Sequence, residues 1–247
     1  MKLRHFFPSL IVMLTICISS RQMVMAGSGS APTNSGTGLI RGTVKYTGTV
    51  PPPKPISMSA DPSCSKQHAG PVLTREIIAD SKGGLQNVIV FIADGLGDRT
   101  FEVPKEPVVI SQKGCMYQPH VLAMRANQPL EVLNRDPTSH NIHPTPANNR
   151  EWNKAELPGA DIEEVFPREE VAIPVKCNIH PWMRGYIAVF KHPYFVVTKE
   201  DGSFDLPSLP PGTYTVTAWH EKLGTTSQKI TIGASETKEL SFSFKSM

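Results

Sequence analysis

"KCNIHPWMRGYIAVF", Lys176 to Phe190, spaces Cys177, His180 and Met183 as C-x2-H-x2-M and then runs into an apolar stretch. The residues just before it, Val171 to Val175, are strand-like, and so are Gly185 to Phe190. The three side chains therefore belong to a tight loop between two strands. Successive side chains on a straight strand point to opposite faces, whereas a short loop can turn several of them toward one point.

Thiolate, imidazole and thioether together make a soft ligand set. Thioether suits zinc poorly, since structural zinc sites use four Cys or His ligands. Two histidines and a cysteine with a weak axial methionine form the blue-copper arrangement. A second histidine must come from elsewhere, and "NRDPTSHNIHP" supplies His140 and His143. They lie three apart, so on an extended strand they face opposite sides, and one of them is expected to reach the metal.

Outward from this loop the chain reads as all-β. Pro (23) and Gly (18) are plentiful, which favours turns and short strands. Strand-like runs recur at short spacing: "LIRGTVKY", "LQNVIVFIA", "PVVIS", "VLAMRA", "PLEVLN", "YFVVT", "SFDL", "TYTVTAWH", "QKITI" and "ELSFSF". Asp201-Gly202 between two such runs predicts a hairpin. A helical turn or two is expected within 149–165. The fold class is a β-sandwich architecture.

The loop "CNIHPWMRGYIAV" resembles the ligand loop of the amicyanin-type cupredoxins, Cys-x-x-His-Pro-aromatic-Met-Arg-Gly. Upstream, "YQPHVLAMRANQPLEVLNRDPTSHNIH" is similar to the cupredoxin run that ends in Asn-x-Asp and then His-Asn. "VFPREEVAIPVKC" resembles the strand leading into the ligand cysteine. The resemblance covers roughly Pro107 to Phe190. It implies a Greek-key cupredoxin holding one type 1 copper, with His140, Cys177 and His180 as equatorial ligands and Met183 as the axial one. It places Asn141 where a backbone amide donates to the thiolate, and it puts Pro181 and Trp182 on an apolar rim where a redox partner docks. The family has Pro before the second histidine, while this chain has Ile179, which keeps its N–H and is expected to donate a second bond to the Cys177 sulfur.

Residues 1–26 read as a secretory signal, with Lys2 and Arg4 before an apolar run from Phe6 to Ile18 that is too short to span a bilayer. Removing them takes away three basic residues and no acid, so the formal charge falls from +3 to zero. The basicity belongs to the signal and gives no support for nucleic-acid binding. The expected location is the periplasm or the exterior, with no membrane span after cleavage. Cys64, Cys115 and Cys177 remain. If copper takes Cys177, the other two form either a disulfide, as suits an exported protein, or a pair of buried thiols.

Further along, "VVTKEDGSFDLPSLPPGTYTVTAWH" resembles the carboxypeptidase regulatory-like domain, a transthyretin-like or carbohydrate-binding-like sandwich. The residues after Pro193 are thin for a free-standing sandwich. "RGTVKYTG" and "LQNVIVFIA" supply strands that would complete it from the other end of the chain. The expected organisation is a signal over 1–26, a small-residue linker over 27–38, an N-terminal β region over 39–106 shared with the C-terminal sandwich, a cupredoxin domain over 107–192 and a regulatory-like region over 193–247. The expected function is electron transfer by a carrier with no enzymatic reaction of its own; the combination resembles proteins named for methylamine utilisation. Two other functions fit the same residues. One is copper storage or delivery, and the other is a carbohydrate- or protein-binding sandwich.

Overall fold

The computed structural model describes residues 36–245; the expected signal and linker residues 27–35 lie outside the described residues. Along the chain come β1 (Leu39–Tyr46), a single helical turn α1 (Pro62–Ser65), β2 (Ile89–Asp94), β3 (Val108–Gln112), β4 (Tyr117–Gln118) and β5 (Val121–Arg125). Next are β6 (Leu130–Asn134), β7 (His140–Pro144), β8 (Lys154–Glu156), β9 (Asp161–Glu164), β10 (Glu170–Lys176) and β11 (Arg184–Phe190). The last five are β12 (Phe195–Val197), β13 (Ser203–Asp205), β14 (Gly212–His220), β15 (Gly224–Ile232) and β16 (Thr237–Phe244). Among the described residues no helix is long and apolar enough to cross a membrane.

One sandwich is built from both ends of the described chain. Its first sheet runs β12-β2-β14-β15, and its second runs β13-β1-β16 with β1 parallel to β16. Alternation explains the packing of β14: Tyr214, Val216 and Ala218 turn into the core, while Thr213, Thr215 and Trp219 on the other face are exposed or half-buried, and Thr217 is covered there with its hydroxyl 2.8 Å from that of Ser227. Tyr214, Val216 and Ala218 meet Leu240 and Phe242 of β16 and Ile40 and Val44 of β1 in one core. Burying each such large side chain contributes about 1.5–3 kcal/mol.

The strands of the second sandwich all lie between β2 and β12 in sequence. Its sheets run β5-β11-β10-β7-β8 and β4-β3-β6-β9. Ile110, Met124, Leu130, Val132, Ile173 and Ile187 fill its core, and Cys177 and Met183 sit at one end of that core. A third, smaller core of Ile89, Val121, Ala188 and Phe190 joins the two sandwiches. There the rings of Tyr186 on β11 and Trp219 on β14 meet at 5.3 Å. The chain between β1 and β2 carries α1, Ile56 and Met58 onto the second core, then returns to the first sandwich.

Two local expectations are corrected. The segment 149–165 forms β8 and β9 instead of a helix, because pairing with β7 and β6 satisfies their backbone groups. Asp201-Gly202 does make a turn, with Gly202 at φ 74° and its N–H bonded to Lys199 O at 2.9 Å. It closes no hairpin ladder, however: β12 pairs with β2 and β13 with β1, on opposite sheets. Burial of Phe204 and Leu206 in the core between those sheets draws the chain across.

Candidate metal centre

The loop between β10 and β11 is pinned at its base, where Lys176 lies opposite Arg184. Cys177 N–H donates to Met183 O at 3.1 Å and Met183 N–H donates to His180 O at 2.9 Å. This internal bonding turns Cys177, His180 and Met183 into the buried end of the sandwich, while Ile179 and Pro181 face water. β7 runs beside β10 and delivers His140, which is fully buried, to the same place. His140, Cys177 and His180 offer ligand atoms that all lie within 4.8 Å of one another.

The two imidazoles are oriented from behind by carboxylates. His140 Nε2 lies 2.8 Å from Asp136 Oδ2, and His180 Nε2 lies 2.9 Å from Asp61 Oδ2. Each Nε2–H therefore donates to a carboxylate, which leaves the lone pair on Nδ1. The two Nδ1 atoms then face each other at 2.9 Å, and Cys177 Sγ lies 3.8 Å from His180 Nδ1. Two nitrogens this close in a buried site need a cation between them, a proton on His140 in the metal-free protein or a metal in its place. The donor set of two imidazole nitrogens and a thiolate fits copper by its softness, and buried Met183 packs in the same core as Cys177.

Electrostatics support that donor set. Burial pushes the Cys177 thiol up, but His140 and the backbone amides of Asn141, His180 and Ile179 outweigh it and hold the thiol below its usual range. The bond with full hydrogen-bond geometry is His180 N–H to Cys177 Sγ at 3.4 Å, and the Ile179 amide adds to the same pull. Asn141 Oδ1 accepts from Asn178 N–H at 2.6 Å and lies 3.3 Å from the Cys177 sulfur, which fixes the start of the loop. Burial pushes His140 down, but Asp136 and Cys177 reverse this and raise it to about 9. Burial likewise works against ionised Asp136, which nevertheless stays low because His140 and the amides of Cys115 and Gly114 bond to it. The His180 hydrogen bond holds Asp61 down at about 2.

Cys64 and Cys115 are joined by a disulfide, and its position is a feature that sequence reasoning missed. Cys64 Sγ lies 3.6 Å from His180 Nε2, and Cys115 N–H donates to Asp136 Oδ2 at 2.8 Å. The Trp182 indole N–H donates to Cys115 O at 3.1 Å, with its ring 5.0 Å from that of His180. A single covalent bond thus ties together the supports of both imidazoles. As a result His180 is only 2 % exposed. Asp61 carried one signal, as a helix N-cap followed by Pro62, and its side chain does accept from Ser63 N–H at 2.7 Å. Nothing local revealed that its second oxygen reaches His180.

His143 stands apart from the cluster, between Asn178 and Glu151. His192 and His220 are buried elsewhere, each accepting a nearby backbone N–H on Nδ1.

Residues 187–245 match the model of the carboxypeptidase regulatory-like domain. No curated protein matches the chain. Among solved structures, a copper-containing nitrite reductase from Thermus scotoductus is 21% identical over 39% of this chain, with a TM-score of 0.33. The match spans only 25% of that enzyme's length. A purple cupredoxin from Nitrosopumilus maritimus is 24% identical over 33% of this chain and 97% of its own, with a TM-score of 0.29. A reduced amicyanin variant is 20% identical over 40% of this chain and 97% of its own, with a TM-score of 0.31. The chain joins a carboxypeptidase regulatory-like segment to a β-sandwich similar to cupredoxins.

Proposed function

We propose that the protein is an exported mononuclear type 1 copper protein that carries electrons and catalyses no reaction of its own. The observation that carries this reading is the pair of Nδ1 atoms facing each other at 2.9 Å beside the Cys177 sulfur, each imidazole held from behind by a carboxylate. His140, Cys177 and His180 would hold the metal equatorially and Met183 axially. Copper held in this way supplies one-electron Cu(I)/Cu(II) chemistry.

The chain's own residues do the rest. The β7 and β10 strands and the disulfide fix the ligands from several directions, so little moves when the charge at the centre changes. Exposed Ile179, 52% accessible, and Pro181 beside half-buried Trp182 form an apolar rim suited to a weak, transient redox partner. Closure of the His180 edge by Asp61 and Cys64 favours a carrier over a delivery protein, since handing on the metal requires an open ligand.

The test is an absorption spectrum after purification with copper. An intense visible thiolate-to-Cu(II) band that disappears in Cys177→Ala is the expected result. Stoichiometric copper binding without that band, or no binding at all, would remove the proposal and leave the sandwich as the functional module.

A further inference from the structure

A cleft of about 420 Å3 opens beside the metal centre where several parts of the chain meet. β11 and the ligand loop contribute Trp182, Arg184 and Tyr186, the segment before β2 contributes Arg75 and Glu76, and the turn after β14 contributes Glu221 and Lys222. The volume falls in the range of about 300–1,000 Å3 typical of small-molecule sites. No role in holding the metal uses these residues, and only the joined architecture brings them together.

The wall chemistry narrows the occupant. Trp182, Tyr186 and buried Met116 line it with two aromatic rings and a thioether, a wall that suits a flat aromatic group. The acids of the cleft are already engaged: Glu221 with His120 at 2.5 Å, and Glu76 with Lys222 at 2.7 Å. Two guanidiniums are left over. Arg184 Nε donates only to Pro181 O at 3.3 Å, and among the described residues Arg75 has no acidic partner. Tyr186, pushed up to about 12 by burial and by neighbouring Glu221, keeps its proton across the physiological range. An aromatic wall with two unpaired guanidiniums is complementary to a planar ring bearing a carboxylate, which a guanidinium can bind through two parallel hydrogen bonds.

We propose that this cleft binds a small aromatic carboxylate, with its ring against Trp182 and Tyr186 and its carboxylate between Arg75 and Arg184. The site stands independently of the metal reading. Its occupant would nonetheless lie one ring away from His180, because the Trp182 and His180 rings are 5.0 Å apart.

The experiment is a titration of the full-length, metal-free protein with benzoate, and with benzamide as its uncharged match, followed by tryptophan fluorescence and calorimetry. The expected result is saturable benzoate binding with a Kd below about 1 mM, and benzamide weaker by about tenfold or more. Arg75→Gln and Arg184→Gln, both at exposed positions, each weaken benzoate and leave benzamide unchanged. Equal binding of the two probes, binding unaffected by both Arg variants, or no saturation by about 10 mM would overturn the proposal. Because no metal is present, none of these outcomes depends on whether copper binds.

Discussion

Asp61 Oδ2 lies 2.9 Å from His180 Nε2, across 119 positions of sequence. The contact places a carboxylate on the imidazole edge that would otherwise face water, and Thr138 Oγ1 braces the same oxygen at 3.1 Å. Removing the acceptor leaves a ring nitrogen without its partner and frees the ring to turn. Asp61→Ala is therefore expected to speed copper loss to a Cu(I) chelator by roughly 10–100-fold, the range in which outer partners tune metal sites. Unchanged release kinetics would show that Asp61 does not orient the ligand.

The disulfide has a separate, measurable role. It closes a loop of 51 residues, and the loop-closure entropy model gives about 4 kcal/mol for a crosslink of that span. Cys64→Ser with Cys115→Ser is expected to lower the thermal midpoint by several degrees. It should also open the His180 edge, so that chelator access rises together with the loss of stability. A drop in midpoint with unchanged access would assign the bond to stability alone.

Ile179 adds the smallest of the backbone contributions at the sulfur. Its amide helps hold the Cys177 thiol in the ionised form, alongside the His180 N–H at 3.4 Å. Donation to the thiolate lowers its electron density and favours Cu(I) over Cu(II). Ile179→Pro deletes that N–H on an exposed residue, so the reduction potential of the copper-loaded protein should fall. An equal or higher potential measured by redox titration would sink this reading.

The loop was readable because it is local. Cys177, His180 and Met183 fall within one short turn whose strands announce themselves on either side, and Tyr214, Val216 and Ala218 announce their strand by alternation. The carboxylates behind the histidines were not readable. Asp136 sits four residues before His140 and looks like a turn residue, and Asp61 looks like a helix cap; their second function depends on contacts made by the folded chain. Residues 149–165 misled for a related reason. Weak local preference there gives way to the free edges of β7 and β6, which only the tertiary structure offers.

Acid should weaken the fold in a defined window. Burial pushes both His192 and His220 down to about 4 in the folded protein, from the ordinary 6.5. Between those values the unfolded chain takes up two protons that the folded chain refuses, so their stabilising contribution is complete above about 6.5 and is lost as pH falls toward 4. Glu156 works in the opposite direction: burial raises it to about 7, so the folded state binds one proton more readily over much of that range. His140, raised to about 9, adds to that opposition near 6.5 but is protonated in both states well below it, so the net expectation is a falling thermal midpoint from about pH 6 to 4. Replacing both histidines by Asn should flatten that fall; an unchanged slope would show that other groups govern it.

The last prediction concerns why the sandwich needs both chain ends. β1 lies between β13 and β16, and β2 lies between β12 and β14, so residues before Pro107 supply an interior strand to each sheet of a core that residues after Pro193 cannot complete. Gly42 marks the tightest point of this assembly, because a Cβ there would lie 1.6 Å from Leu240 O on β16. Backbone atoms cannot yield as a flexible side chain does, so Gly42→Val must part β1 from β16. The variant is expected to lose several kcal/mol of stability, the scale of a core-disrupting substitution. The shared core of Ile89, Val121, Ala188 and Phe190 should pass that damage on to the metal-bearing sandwich. Chemical unfolding followed by fluorescence and by the visible copper band should then shift together to lower denaturant. If the copper band held its midpoint while fluorescence shifted, the two sandwiches would be folding independently, and a stable 107–247 fragment from limited proteolysis would say the same.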